Sequence, residues 1–252
     1  MTANPFDLSG RVALVTGANA GIGQAIALAL AAAGADVALA GRSAAVETAG
    51  QIRALGRRTA IIEADLATTE PVQATVDSTL AQLGGLDILV NNAGIIRRAD
   101  AVEFSEADWD AVIDTNVKSL FFLCQAAGRH MIAQGRGKIV NIASMLSFQG
   151  GIRVPSYTAS KSAVAGLTKA LANEWAGKGV NVNAIAPGYI ATANTAALQA
   201  DEARNRQIME RIPAGRWGAP PDIGGAAVFL ASPASDYVHG HILAVDGGWL
   251  AR

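Results

Sequence analysis

The sequence has few of the features on which several classes of protein depend. It contains a single cysteine, Cys124, so no intrachain disulfide can form, and we expect a reducing compartment and a buried, unreactive thiol. No apolar run approaches the roughly 18 to 20 uncharged residues that a membrane-spanning helix requires. The start of the chain lacks the basic patch and apolar core of a secretory signal. We therefore expect a cytoplasmic protein that does not enter a membrane.

An excess of charge of one sign is also missing. The chain has 20 basic and 21 acidic residues, for a formal net charge of −1. A protein that binds nucleic acid through its phosphates needs an excess of Lys and Arg, so we expect no nucleic-acid partner. We also predict no metal site.

Apolar residues, by contrast, make up 51% of the chain, although aromatic residues make up only 5%. Short apolar runs rich in β-branched residues alternate with Ala-rich segments of helical period, such as 22–33 and 72–83. This alternation predicts βαβ units with right-handed crossovers. The predicted fold class is α/β: a single doubly wound Rossmann domain over residues 1–252, with an about seven-stranded parallel sheet and helices on both faces. The predicted strands lie at 12–15, 37–40, 59–62, 86–90, 138–142, 180–185 and 242–245.

Two stretches follow this alternation less well and are predicted to be loops that shape a substrate site. One lies at about 145–156 and is rich in Gly and Pro towards its end. The other lies at about 188–218 and is polar, with helical patches.

A glycine-rich turn at residues 16–23 (TGANAGIG) joins the first predicted strand to the first predicted helix. In this position glycines let the backbone approach a pyrophosphate, and the helix N-terminus favours the anion. The spacing is G-x-x-x-G-x-G, and a lone glycine motif is also compatible with a tight turn that binds nothing. The position at the first βα junction favours a dinucleotide. The residues predicted to bind it here are Gly17, Asn19, Gly21, Ile22 and Gly23.

Residues that follow the second, third and fourth predicted strands are also expected to contact the cofactor. An acidic residue after the second strand usually binds the ribose 2′-hydroxyl and repels a 2′-phosphate. Here Arg42 takes that place and could bind a 2′-phosphate in a bidentate manner, although a solvated surface arginine is the alternative. The predicted cofactor is therefore NAD(P)(H), with tolerance of NADP. Asp65 and Leu66 follow the third strand beside the expected adenine, and Asn92, Ala93 and Gly94 follow the fourth strand.

Tyr157 and Lys161 are one helical turn apart in a predicted helix that runs from Pro155 to about Trp175. Residues at i and i+4 share a helix face, so the phenol and the ammonium point the same way. A neighbouring ammonium lowers the pKa of a phenol, which makes Tyr157 a candidate general acid or base. Ser144, at the end of the fifth strand, could donate a hydrogen bond to the same substrate oxygen. Each residue alone has a structural explanation, but together, after a dinucleotide turn, they favour catalysis.

These motifs resemble those of the short-chain dehydrogenase/reductase family over essentially the whole chain. The resemblance implies that Asn116 helps a water chain relay protons and that Lys161 also holds the nicotinamide ribose. It implies that Ile190 and Thr192 contact the carboxamide and phosphate region and that the chain forms a homotetramer. The family marks are the TGxxxGxG turn at 16–23, the NNAG run at 91–94, Asn116, Ser144, the YxxxK pair at 157 and 161, and the cofactor-site pair Pro187 and Gly188.

Within the family, the sequence is similar to dehydrogenases that act on deoxy-keto sugar acids. These enzymes are commonly NAD-linked, which conflicts with the interpretation of Arg42 and leaves the choice between NAD and NADP open. The similar segments are 95–98, 144–162, 184–195 and 246–252.

A sugar-acid carboxylate is best bound by an arginine, and four arginines follow predicted strands or lie near the predicted site. We favour Arg153, although a surface salt bridge or a subunit contact is the commoner role of such a residue. The other predicted substrate residues are Ser144, Gln149 and Tyr157. The four arginines are Arg97, Arg98, Arg153 and Arg216.

The expected reaction is hydride transfer between NAD(P) and a secondary alcohol or ketone of a deoxy-keto sugar acid, with Tyr157 as the general acid or base. A 3-oxoacyl thioester reductase on the same scaffold is the alternative enzyme, and it would need no carboxylate clamp. A catalytically silent dinucleotide sensor or structural subunit is the alternative outside enzymes. Such proteins tend to lose the tyrosine or the lysine, and both are present here.

Overall fold

The computed structural model describes residues 4–252, which form a parallel sheet covered by helices on both faces. The strands are β1 (Val12–Thr16), β2 (Asp36–Gly41), β3 (Thr59–Glu63), β4 (Ile88–Asn91), β5 (Gly137–Ile142), β6 (Val180–Pro187) and β7 (Ile242–Val245). Their order across the sheet is β3-β2-β1-β4-β5-β6-β7, and all pairs are parallel. The predicted α/β class and the seven-stranded parallel sheet are confirmed.

The three helical segments with predicted bounds, 22–33, 72–83 and Pro155 to about Trp175, agree closely with α-helices of the structure. The helix over 72–83 has the predicted bounds, and Pro155 begins the long helix that carries Tyr157 and Lys161, where its missing N–H costs no hydrogen bond. Asp114–Ser119 forms a π-helical segment that leads into the next α-helix. The α-helices are α1 (Gly21–Ala32), α2 (Val46–Ala54), α3 (Val72–Leu83), α4 (Glu106–Ile113), α5 (Leu120–Ala133), α6 (Pro155–Trp175), α7 (Ala196–Ala200), α8 (Glu202–Arg211) and α9 (Pro221–Ala231).

The central strands are buried on both faces because helices cover the sheet on each side. In β1, Ala13 and Val15 belong to the core packed by α1 and α9. Val12 and Leu14 belong to the opposite core, packed by α3, α5 and α6. Side chains alternate between the faces of a strand, so every residue of β1 is buried and the strand reads as a continuous apolar run.

The carboxyl ends of the strands lie at one edge of the sheet, and this edge positions the site. β1 pairs with β2 on one side and with β4 on the other, so the connections that leave these strand ends diverge and open a crevice. A parallel bridge between Ile190 and Gly218 closes the base of the predicted loop at 188–218, which contains α7 and α8.

Cys124 is fully buried, and the Asn91 amide donates a hydrogen bond to its sulfur at 3.1 Å. Burial raises the pKa of the Cys124 thiol to about 12, so the thiol stays protonated and unreactive at neutral pH, as predicted. Among the helices of residues 4–252, none combines the length and the apolar character needed to cross a membrane.

Candidate active site

A cavity of about 870 Å³ opens at the carboxyl edge of the sheet. Its walls are the turn after β1, the loops after β2 to β6, helix α8 and Trp249 near the C-terminus. Open α/β sheets bind ligands at this edge, where the strand order reverses. The predicted site residues that line the cavity are Gly17, Asn19, Gly21, Ile22, Gly23, Arg42, Asp65, Leu66, Asn92, Ala93, Gly94, Ser144, Gln149, Tyr157, Lys161, Gly188 and Thr192.

Four predicted site residues lie outside this lining. Pro187 is the buried last residue of β6, and Asn116 is buried behind the wall. The side chain of Ile190 packs in the core, so only its main chain can face a ligand. The fourth residue, Arg153, is not part of the lining and is paired with Asp100.

The turn after β1 is packed so tightly that a side chain would not fit at two of its glycines, Gly17 and Gly23. Gly17 has a φ of +66°, in the left-handed region. A Cβ on Gly23 would overlap the Gly17 carbonyl oxygen and the Asn92 amide nitrogen. Asn92 Nδ2 donates hydrogen bonds to the carbonyls of Thr16 and Gly17 at 3.0 and 3.1 Å. Asn92 therefore holds the shape of the turn as well as lining the cavity.

Helix α1 begins at the cavity without a side-chain cap. Its N-cap residue is Ala20, no side chain accepts a hydrogen bond from the first-turn amides, and the first turn contains no acidic residue. Free amides and the positive end of the helix dipole favour an anion at Gly21 and Ile22, which line the cavity. The turn and the helix N-terminus therefore fit the pyrophosphate of a dinucleotide.

Arg42 lies at the cavity wall directly after β2. It forms no ion pair with any residue that the structure describes, so its five N–H donors are available to an anion. Asp65 lies on the same cavity, and its Oδ1 accepts a hydrogen bond from the Ala67 amide at 3.0 Å. A cationic group therefore stands where a carboxylate would exclude a 2′-phosphate.

Tyr157 and Lys161 lie side by side on the cavity-facing side of α6. Lys161 Nζ lies 5.5 Å from the centroid of the Tyr157 ring and donates a hydrogen bond to the Ile142 carbonyl at 2.6 Å. Burial lowers the pKa of Lys161 to about 8. Burial also raises the pKa of the Tyr157 phenol, because the charged form is poorly solvated. The expected lowering of the tyrosine pKa by Lys161 is thus a wrong prediction for this structure, in which burial outweighs the opposing interactions.

Ser144 and Arg98 supply those opposing interactions. A hydrogen bond with the Ser144 side chain and the positive charge of Arg98 both lower the pKa of Tyr157. Ser144 Oγ also accepts a hydrogen bond from the Leu146 amide at 3.2 Å, which fixes the hydroxyl at the end of β5. The phenol, the hydroxyl and the ammonium therefore converge on one part of the cavity, which is an arrangement suited to binding and protonating a carbonyl oxygen.

Asn116 lies in the π-helical segment and is 1% exposed. Its amide oxygen accepts a hydrogen bond from the Ile95 N–H at 2.8 Å, and its amide nitrogen donates to the Ile95 carbonyl at 2.9 Å and to Ser160 Oγ at 3.1 Å. Ser160 Oγ in turn donates to the Tyr157 carbonyl at 2.8 Å. Asn116 therefore ties the loop after β4 to the turn of α6 that carries the tyrosine. π-Helical turns are rare and occur often at functional sites.

The choice of Arg153 as the carboxylate-binding residue is corrected by the structure. Arg153 Nε lies 2.9 Å from the Asp100 carboxylate, and the two side chains are 61% and 67% exposed. Arg216 is neutralised in the same way, 2.6 Å from Asp222. The physical reason is that each guanidinium is paired with a surface carboxylate, and neither residue is part of the cavity lining.

Sequence reasoning missed the cationic residues of α8 and the aromatic residue near the C-terminus. Arg204, Arg211 and Trp249 all line the cavity. A signal was present in α8, whose ten residues (EARNRQIMER) include three arginines and bury only Ile208. An arginine-rich helix inside a predicted substrate loop points to an anionic ligand.

The fold and the cavity together define a class of protein. A doubly wound parallel sheet, an uncapped glycine-rich turn at the first βα junction, and a Tyr-Lys pair beside a serine are the components of a nicotinamide-dependent oxidoreductase acting on alcohols and ketones.

Comparisons with known proteins give the family. The family model described as Enoyl-(Acyl carrier protein) reductase matches residues 17–250. The 2-dehydro-3-deoxy-D-gluconate 5-dehydrogenase of Escherichia coli (strain K12) is 60% identical over 253 residues, which cover 100% of both chains. The protein of the same name from Bacillus subtilis (strain 168) is 58% identical over 98% of this chain and 97% of its own. The chain belongs to the short-chain dehydrogenase/reductase family, and the family resemblance of the sequence is confirmed.

A solved structure agrees with this assignment. A crystal structure with bound NADP, of a protein from Agrobacterium tumefaciens described as a candidate 2-deoxy-D-gluconate 3-dehydrogenase, has a TM-score of 0.93 and 65% sequence identity to this chain. The match covers 99% of this chain and 100% of that chain. The predicted similarity to sugar-acid dehydrogenases is thus confirmed by the names of both the sequence and the structural relatives.

Proposed function

We propose that the protein is an NAD(P)-dependent dehydrogenase of deoxy-keto sugar acids, with the activity for which the 2-dehydro-3-deoxy-D-gluconate 5-dehydrogenases are named. The observation that carries the proposal is that Tyr157, Lys161 and Ser144 line the same cavity as the glycine-rich turn. The substrate class is supported by relatives at 58% to 60% identity that cover nearly the whole chain.

The chemistry is divided between the cofactor and three side chains. When bound, the nicotinamide supplies or accepts the hydride. In reduction, the Tyr157 hydroxyl donates its proton to the substrate carbonyl oxygen, and in oxidation the phenolate takes the proton from the alcohol. Ser144 Oγ donates a hydrogen bond to the same oxygen and stabilises its developing negative charge. Lys161 Nζ lies 5.5 Å from the centroid of the phenol ring, and Lys161 would also hold the nicotinamide ribose.

Asn116 is assigned to the proton path that leads to this pair through water. Its side-chain hydrogen bonds go to Ile95 and Ser160. We therefore propose that Asn116 positions Ile95 and Ser160 beside that path and does not carry a proton itself.

The assignment of NAD(P) as the cofactor depends mainly on Arg42, which follows β2 and lines the cavity. Arg42 would bind a 2′-phosphate, and Asp65 and Leu66 would bind the adenine. The relative from Agrobacterium tumefaciens, crystallised with NADP, supports acceptance of the phosphorylated cofactor. Asn92, Ala93, Gly94, Pro187, Gly188, Ile190 and Thr192 complete the proposed cofactor site, with Ile190 contributing through its main chain.

The alternative enzyme, a 3-oxoacyl thioester reductase, is not favoured. Curated relatives at 58% to 60% identity carry the names of sugar-acid dehydrogenases. A silent dinucleotide sensor is disfavoured by the complete set of Tyr157, Lys161, Ser144 and Asn116.

We also propose that residues 1–252 form one domain and that four copies assemble into a cytoplasmic homotetramer. Exposed apolar side chains on and before the adjoining helices α4 and α5 support self-association, namely Val102, Trp109 and Phe122. Light scattering of the purified protein tests this proposal, and a monomer at micromolar concentration would refute it.

A substrate panel tests the proposed function. The purified enzyme is mixed with NADH or NADPH and with keto sugar acids, the matching neutral ketoses or 3-oxoacyl thioesters, and oxidation of the nicotinamide is followed by absorbance. We expect turnover of the sugar acids in preference to the other two classes. Turnover confined to thioesters would identify the alternative enzyme.

A further inference from the structure

The cavity carries more positive charge than the proposed chemistry uses. Among the described residues that line it, Asp65 is the one acidic residue, and it lies with the predicted adenine contacts. Arg97 also lines the cavity but is paired with Asp108 at 3.0 Å. Three further lining arginines, Arg98, Arg204 and Arg211, have no carboxylate partner among residues 4–252. Such an unneutralised cluster favours an anionic ligand.

Of these three, Arg211 is held most firmly in position. Its guanidinium carbon lies 3.9 Å from the ring centroid of Trp249, and the indole is itself 4% exposed. Trp249 also packs edge-on against Tyr189, with the ring centroids 4.8 Å apart. A planar guanidinium stacked on a buried indole keeps its N–H groups free at the edge, where a carboxylate can bind in a bidentate manner.

Gln149 joins the same arrangement from the loop after β5. Its Oε1 accepts a hydrogen bond from Trp249 Nε1 at 3.2 Å and a longer one from Arg211 at 3.5 Å. Because that oxygen accepts both hydrogen bonds and Gln149 lines the cavity, its amide NH2 group remains available as a donor to a ligand. By comparison, Arg98 donates to the Asn194 carbonyl at 3.3 Å and Arg204 to Gln207 at 3.1 Å, without an aromatic support.

We propose that Arg211 is the residue that selects an acidic substrate: it binds the substrate carboxylate together with the Gln149 amide, and Trp249 is the positioning residue that holds the guanidinium in place. This inference rests on the proposed function, because it concerns the substrate of the cavity that contains Tyr157. It places the determinant of substrate class on α8 and the C-terminal segment, away from the tyrosine. A preorganised cation loses little side-chain freedom on binding, which favours Arg211 over the two less supported arginines.

The test is steady-state kinetics of Arg211→Ala and Arg211→Lys with a keto sugar acid and with the matching neutral ketose. Loss of a charge-assisted pair typically raises the KM for the acid by about 10- to 100-fold. We expect that rise in Arg211→Ala, with the KM for the cofactor and the rate with the neutral ketose unchanged. Lysine restores the charge without the planar fork, so Arg211→Lys should recover part of the loss. Trp249→Phe, which keeps an aromatic ring but removes the N–H bonded to Gln149, should fall between the wild type and Arg211→Ala.

The matched control is Arg206→Ala, on the same helix but exposed and outside the cavity lining, with kinetics expected to equal those of the wild type. An unchanged KM for the acid in Arg211→Ala, or an equal loss with acid and neutral substrates, would overturn the inference. An acid-specific loss in Arg98→Ala but not in Arg211→Ala would also overturn it. In all three cases the proposed function stands if the wild type reduces sugar acids. A wild type that reduces none of them overturns both.

Discussion

Asn116 holds the main chain of Ile95 by a pair of hydrogen bonds, accepting from its N–H at 2.8 Å and donating to its carbonyl at 2.9 Å. Ile95 lies in the loop after β4, outside regular strand pairing, so these two hydrogen bonds from one buried amide help to fix the position of that loop. That loop brings Arg98 to the cavity, and the same amide contacts Ser160 beside Lys161. A single side chain thus connects the substrate wall with the helix that carries the reacting groups.

Replacing Asn116 by Ala should cost both stability and turnover. The loss of hydrogen bonds to buried groups should lower the free energy of unfolding by about 1 to 3 kcal/mol. Displacement of the loop and of α6 should lower kcat by about tenfold or more. Urea denaturation and steady-state kinetics measure the two effects.

Asn183→Ala is the matched control for this change. Asn183 is also buried and binds main chain, donating to the Val238 carbonyl at 2.8 Å and accepting from the His241 amide at 3.0 Å, but it does not line the cavity. We expect a similar loss of stability with kcat unchanged. If kcat is also unchanged in Asn116→Ala, the residue has a structural role only.

Gly23→Ala should weaken cofactor binding, because its Cβ would overlap the Gly17 carbonyl and force the turn open. Overpacking of this kind costs about 1 to 3 kcal/mol, so we expect the Kd for NADP to rise by about 10- to 100-fold, as measured by fluorescence titration. Gly50→Ala is the control, since a Cβ at Gly50 in α2 meets no atom within 4 Å. It should leave the Kd unchanged and add up to about 1 kcal/mol of stability. Equal affinities for NADP in both variants would contradict the proposed pyrophosphate site.

Arg42→Ala should change the cofactor preference. Loss of the guanidinium should raise the KM for NADP by about 10- to 100-fold and leave the KM for NAD nearly unchanged, because only NADP carries the 2′-phosphate. Arg53→Ala, an exposed arginine of α2 outside the cavity, should affect neither constant. A wild-type preference for NAD of more than about tenfold would contradict this role of Arg42.

Lys161 should leave a signature in the pH dependence of stability. Burial lowers its pKa from 10.5 to about 8, so between these values the unfolded chain binds a proton that the folded chain does not. The folded state therefore carries a penalty below pH 8 that is relieved as the pH rises towards 10.5. A methionine does not titrate, so the stability of Lys161→Met lacks this pH dependence. As the pH rises from 7 to 10.5, the wild type should therefore gain up to about 3 kcal/mol in free energy of unfolding relative to the variant. Urea denaturation at several pH values measures the difference, and a difference independent of pH would show that the lysine is not perturbed.

The features that could be predicted from the sequence are those encoded by local patterns. The bounds of α3 and the start of α6 follow from helical periodicity and from the position of Pro155. The order of the strands across the sheet is not predicted, because periodicity identifies strands but not which strands pair. The candidate catalytic set could be named because it combines a local spacing, Tyr157 and Lys161, with a strand end at Ser144.

The substrate wall could not be predicted because it is built by contacts between distant segments. Gln149 and Arg211 are 62 residues apart, and Gln149 and Trp249 are 100 residues apart. Nothing in the local pattern around Arg153 shows that Asp100 neutralises it. The raised pKa of Tyr157 likewise depends on how much protein surrounds the phenol, which spacing on a helix does not reveal.

The most direct test of the account is the turnover and cofactor affinity of Tyr157→Phe. Phenylalanine keeps the ring that packs beside Lys161 and removes only the hydroxyl that moves the proton. We predict that kcat with a keto sugar acid falls by about 10²- to 10⁴-fold, the usual contribution of a general acid, while the Kd for NADP stays within about twofold of the wild-type value. Turnover close to that of the wild type would contradict the assignment of Tyr157 as the proton donor.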